Sequence, residues 1–178
     1  MRWYDTLLLM GTLVCTSLHQ GHAQRQIAVG LDGRADHDVL NTVPVQVVTL
    51  RHPSFGSFHC GNGGGSITVG TDGTRTTQGD LIAMNSGVAV SPAVFEVRCS
   101  PYTMVHLFRD AFFILKSNDG TEVRAYLVST EPEFPLVAPA NSAGGFTVTA
   151  SVRLELEAGQ TLAPGPYNGA LQTTWVTE

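Results

Sequence analysis

The sequence predicts an all-β protein, an antiparallel sandwich of about eight strands, and three observations carry that expectation. Residues Phe146 to Leu156 alternate apolar and polar without a break, a period of two that fits a strand with one wet face. Clusters of Gly, Pro, Asn, Asp and Ser cut the rest of the chain into short pieces, each cluster able to adopt positive φ or to preset a turn. No stretch keeps a helical 3.6-residue period, so no helix beyond a stray turn is expected.

In the long strand, Phe146, Val148, Ala150, Val152, Leu154 and Leu156 are expected to face a core, and Thr147, Thr149, Ser151, Arg153 and Glu155 to face water. The other expected strands are Val43 to Leu50, Ser66 to Val69, Val94 to Cys99, Thr103 to Phe108, Phe112 to Lys116, Glu122 to Ser129 and Tyr167 to Val176. Phe95, Val97 and Cys99 oppose Glu96 and Arg98, while Val123, Ala125 and Leu127 oppose Glu122, Arg124 and Tyr126, so two sheets with facing apolar sides follow. In the last strand Tyr167, Gly169, Leu171, Thr173 and Trp175 share a face, with Trp175 as a core anchor.

The chain divides into a leader at 1–23, an extension at 24–42 and a sandwich domain at 43–178. Arg2 gives a positive start, Thr6 to Leu18 is apolar but too short to span a bilayer, and Gly21-His22-Ala23 suits signal peptidase. Cleavage after Ala23 is expected, against the plainer alternatives of a buried strand or an uncleaved anchor. Cys15 follows the bulky Val14, which disfavours lipid attachment. Removing 23 of 178 residues leaves 155, enough for one domain. The exported chain is expected to be soluble, in the periplasm, at the cell surface or in an extracellular fibre, with no membrane span. The formal net charge is -5 and Lys116 is the one lysine, so there is no basic cluster to displace the counterions of nucleic acid.

Cleavage would leave two cysteines, Cys60 and Cys99. An even pair in an oxidising compartment predicts a structural disulfide, and closing a loop of about 40 residues would contribute about 4 kcal/mol in the chain-entropy picture. The rival reading is a catalytic thiol.

No motif announces an enzyme. Asp36, His37, Asp38, His52, His59 and Cys60 can be imagined around a metal, yet none has a recognised ligand spacing. There is no Gly-x-Ser-x-Gly elbow. Glu131 and Glu133 sit in a Pro-bounded connection, which suits a solvated loop better than paired catalytic carboxylates. The Gly61–Gly65 run lacks the Lys-Ser/Thr ending of a phosphate loop and precedes a strand. Neither a metal nor a cofactor is expected, and no catalytic residue is assigned.

Phe55-Gly56, Gly63-Gly64-Gly65-Ser66-Ile67-Thr68-Val69, Asp72-Gly73-Thr74-Arg75, Ser91-Pro92-Ala93-Val94-Phe95-Glu96-Val97 and the ending Gly159-Gln160-Thr161-Leu162-Ala163-Pro164-Gly165-Pro166-Tyr167-Asn168-Gly169 resemble the bacterial DUF4402 family of secreted, pilin-like proteins. The resemblance covers roughly residues 43 to 178. It implies an immunoglobulin-like or pilin-like sandwich and, through similarity to spore coat protein U and chaperone-usher pilins, a fibre or surface role. Family members commonly carry Gly where this chain has Cys99. Pilins handled by a chaperone also resemble one another in a Gly fourteen residues from the end and an aromatic next to last; Gly165 meets the first condition, whereas Thr177 departs from the second.

Ile27, Val29 and Leu31 alternate near the expected mature start. In pilins such an arm completes a neighbour's sheet by strand addition, so these three are candidate donor side chains, the alternatives being that Gln24 to Leu31 forms an edge strand of its own domain or is disordered. The acceptor groove would be lined by Phe146, Val148, Val152, Leu154, Tyr167, Leu171 and Trp175. The partners would be other copies, a periplasmic chaperone and an outer-membrane usher. The other class of reading is a monomeric extracellular domain that recognises a carbohydrate or a protein through its loops.

Overall fold

A computed structural model describes the backbone of residues 9–14 and, in full, residues 44–85 and 87–178. The strands are β1 (Leu9–Val14), β2 (Gln46–Arg51), β3 (Ser57–Val69), β4 (Arg75–Met84), β5 (Ala93–Arg98), β6 (Met104–Arg109), β7 (Phe113–Ser117), β8 (Glu122–Glu131), β9 (Leu136–Val137), β10 (Phe146–Leu156), β11 (Gly165–Ala170) and β12 (Thr173–Thr177). The helical element among the described residues is one 3-10 turn, Ser142–Gly144. No helix among them is long and apolar enough to cross a membrane.

Nine strands form one sheet with the path β1-β11-β7-β8-β10-β3-β4, from which β5 branches off β10 and carries β2; the other three form a sheet ordered β12-β6-β9. The branch explains how one sheet makes two layers. One edge of β10 pairs with β8, while its other edge is divided: Phe146 to Ala150 pair with β5, and Val152 to Leu156 with β3. Ser151 sits at the fork. It is buried, its Oγ donates to the Val69 carbonyl at 2.8 Å, and the β8 register slips beside it. Ser151 thus departs from the outward set expected of the polar positions, because the parting strands leave a main-chain acceptor that its hydroxyl satisfies.

The apolar alternation otherwise survives. Val148, Ala150, Val152, Leu154 and Leu156 are buried with Phe58, Ile67, Phe95, Leu115, Val123 and Tyr167 in one core. A smaller cluster of Cys99, Val105 and Ala138 lies under the three-stranded sheet. Trp175 packs against both, edge-on to Phe95 at 5.9 Å and to Phe134 at 5.2 Å. The last expected strand is split at Leu171-Gln172, so that β11 belongs to one sheet and β12 to the other.

Sequence patterning missed β4 altogether and the first half of β3. These two strands form a hairpin closed by Gly70–Thr74, in which the Asp72 carboxylate accepts from the Thr74 N–H at 2.9 Å and the Thr74 hydroxyl at 2.7 Å. The hairpin doubles back on itself. Arg75, at its closed end, donates from Nη1 to the carbonyls of Phe55 at 3.2 Å and Ser57 at 3.1 Å, and from Nη2 to that of Met84 at 3.2 Å. Nine residues along a straight strand would separate Arg75 from Met84 by about 30 Å, beyond the reach of any side chain. The bend lies where pairing breaks between Cys60 and Gly65. There Gly64, Gly65 and Gly79 have positive φ, and a Cβ on Gly65 would overlap the Gln78 carbonyl. The glycine run is therefore a strand corner rather than a loop between strands.

Tyr167 is the second anchor. Buried to 1% exposure, its hydroxyl accepts from the Ala163 N–H at 3.0 Å and donates to the Ala163 carbonyl at 3.2 Å, the tyrosine corner also seen in immunoglobulin-type sandwiches. Burial pushes this hydroxyl above its ordinary range, with the Ala163 backbone opposing. The unfolded chain therefore loses the proton first as pH rises, so stability present below about pH 10 declines above it. A Tyr167→Phe variant should show a shallower alkaline decline in a pH series of thermal melts.

Two further variants test the fold. Val152→Asp places an unpaired carboxylate in the core and should cost more than about 4 kcal/mol, against a total of about 5–15, whereas Arg153→Ser should cost about 1 or less. Arg75→Met leaves three carbonyls without their charged donor and should cost about 3 kcal/mol in denaturant unfolding; no loss would show that the doubled hairpin does not depend on it.

Candidate functional site

The main-chain edge that bears on function belongs to β11. Its sequence, Gly-Pro-Tyr-Asn-Gly-Ala, is poor for a central strand, because Pro166 has no N–H to donate and the glycines carry no side chain to pack. One side pairs antiparallel with β7 through Tyr167 to Gly169. The other takes β1, a segment from the far end of the chain, in parallel register from Leu9 opposite Gly165 to Val14 opposite Ala170. It is the one parallel pair among the described strands. β1 also lies close to β3. An added strand thus fills a groove with β11 on one wall and β3 near the other.

Of the expected acceptor residues, Val148, Val152, Leu154, Tyr167 and Leu171 are buried in the core, and Phe146 and Trp175 are half-buried against it. β10 is paired along both edges, so its residues support the interior while β11 supplies the hydrogen-bonding edge. Ile27, Val29 and Leu31 lie outside the described residues.

The expected Cys60–Cys99 bridge is not formed in this structure, where Cys60 and Cys99 are both free thiols. Cys60 is in the folded-back half of β3, its thiol donating to the Gly61 carbonyl at 3.1 Å, and packs on the main core; Cys99 is buried in the cluster beneath the small sheet. Burial, and secondarily the Asp80 carboxylate, push the Cys60 thiol up, which also makes it a poor nucleophile at neutral pH. A chain lacking residues 1–23 should titrate two thiols when unfolded. When native, it should show slow reaction at Cys60 and none at Cys99; absence of thiols in the unfolded chain would restore the bridge.

Among the described residues, no three of His, Cys, Asp and Glu gather as a metal site; Asp36, His37 and Asp38 lie outside them. His106 stacks on Phe108 with centroids 6.1 Å apart, its Nε2 3.7 Å from Glu178. Glu131 accepts from the Thr71 hydroxyl at 3.2 Å.

The solvent side of the large sheet carries a second arrangement, which the sequence reading did not single out. In one row Phe112, beside Tyr126, leads to Arg153 and then Thr68; in the next, Ile114 leads to Arg124, Glu155, Ser66 and Gln78. The Phe112 and Tyr126 rings are 6.4 Å apart, with Arg124 over the first and Arg153 over the second, each at 5.6 Å. Partial burial and the Glu155 carboxylate raise the Tyr126 hydroxyl above its ordinary range. An open depression on this face is lined by Gly65, Gly79, Phe112, Arg124, Tyr126 and Glu157 to Gln160.

The fold is an all-β sandwich whose large sheet is completed at the β11 edge by the chain's own β1. The chain matches a domain of unknown function, DUF4402, over residues 45–176, and it belongs to that family. No curated protein and no solved structure matches it.

Proposed function

We propose that this chain is an exported structural or adhesive subunit of the bacterial surface, joined to its neighbours by strand addition at the β11 edge. The observation that carries the reading is the parallel seating of β1 against β11, which identifies an edge with a vacancy for one more strand. If the leader is removed after Ala23, Leu9–Val14 leaves with it and that edge is uncovered. The alternating Ile27, Val29 and Leu31 of another copy would then fill it, main-chain hydrogen bonds supplying affinity and the alternating side chains register. Such a contact, arm of one copy to groove of the next, does not close on itself and propagates as a fibre. An exposed edge of this kind would need cover before assembly, the role of a periplasmic chaperone, with an outer-membrane usher as exit. Resemblance to pilins supports the same reading.

Deleting Gln24 to Leu31 from the exported chain should abolish oligomers in size-exclusion chromatography while leaving a folded subunit that binds a synthetic Gln24–Leu31 peptide. A full-length exported chain that stays monomeric at high concentration, even with its chaperone and usher present, would remove the fibre and leave the monomeric binding domain as the better reading.

A further inference from the structure

We propose that the solvent face of the large sheet binds a neutral polysaccharide chain across Phe112, Tyr126, Arg124, Glu155 and Gln78. Here Phe112 is 44% exposed beside Tyr126, and an arginine fixes each ring from one side. Rings held in this way offer their free surfaces to the C–H faces of sugar rings, the division of labour that apolar bodies with polar tips provide elsewhere.

Charge decides the class of ligand. Arg153 pairs with Glu155, Arg124 with Glu157 at 3.3 Å, and Lys116 with Glu122. Cations and anions on this face are matched, so it projects little net field and has nothing to select a polyanion. Its planar amide, guanidinium and carboxylate groups still offer donors and acceptors to hydroxyls. The outer side of the three-stranded sheet is more apolar, with Met104, Phe108, Val137 and Val176 exposed, and its charged contact is His106 with Glu178.

Shape points the same way. Five strands side by side, β7, β8, β10, β3 and β4, make a face about 20 Å wide at the usual strand spacing. An open depression on this face is lined by Gly65, Gly79, Phe112, Tyr126 and the Glu157–Gln160 turn. That turn is tied down, since Gln160 donates to the Glu122 carbonyl at 2.8 Å and accepts from the Glu157 N–H at 3.1 Å. A preformed, shallow and open trough suits an extended chain rather than a small molecule.

This assignment does not rest on strand addition and is tested on the exported, arm-deleted monomer as well as the full exported chain. In native gels cast with soluble mixed-linkage β-glucan, galactomannan or dextran, migration should be retarded in at least one neutral gel and not in alginate. Phe112→Ala with Tyr126→Ala should weaken the apparent affinity at least tenfold with melting unchanged, and Gln78→Ala, on a different strand, should weaken it severalfold. Phe108→Ala, on the small sheet, should have no effect. Absence of retardation in all three neutral gels, retardation in alginate alone, or retardation indifferent to both the aromatic and the Gln78 changes would overturn the proposal.

Discussion

One guanidinium sets the layering of this domain. Arg75 joins the closed end of the β3–β4 hairpin to the main chain at Phe55, Ser57 and Met84, and those carbonyls come within reach because the hairpin has folded over at its glycine corner. Charge-assisted bonds to three carbonyls in a partly buried place are among the stronger polar contacts a small domain can make. The fold-over lets a single hairpin serve both layers, since the second half of β3 pairs with β10 while its first half crosses to the other side. It also brings β3 close to the strand on the β11 edge. Turn chemistry at Asp72–Thr74, the corner at Gly64, Gly65 and Gly79, and the shape of the groove are in this sense one construction.

The β11 edge is made by a different economy. Sheet edges are usually blunted by charge, bulges or covering loops. β11 has Pro166 and two glycines, which weaken it as a ladder, and it is held instead from inside by Tyr167, whose hydroxyl is locked to Ala163. In the structure this edge is completed by β1, paired in parallel from Leu9 opposite Gly165 to Val14 opposite Ala170.

How legible this was varied with the residues. The period-two pattern of β10 exposed the core face correctly at Val148, Ala150, Val152 and Leu154, because central strands feel both a core and water. It failed at Ser151, where β3 and β5 part, since a fork is a tertiary event without a local signature. β4 was invisible: of its ten residues Leu81 is the one buried, so no alternation could mark it. The first half of β3 was hidden by its glycines, which read as turn chemistry although they serve a bend within paired strands. Trp175 and Tyr167 were readable as inward residues, while the hydrogen-bonding edge beside Tyr167 was not, because side-chain pattern reports faces and says nothing of which strand ends a sheet.

Hydrogen exchange at β11 bears most directly on the account. In the arm-deleted monomer, the β11 amides that point away from β7 should exchange rapidly, and a saturating Gln24–Leu31 peptide should slow them at least tenfold while leaving β8 and β10 amides as they were. Slow exchange of those amides without peptide, or no slowing with it, would mean that β11 is not the edge on which this protein is completed.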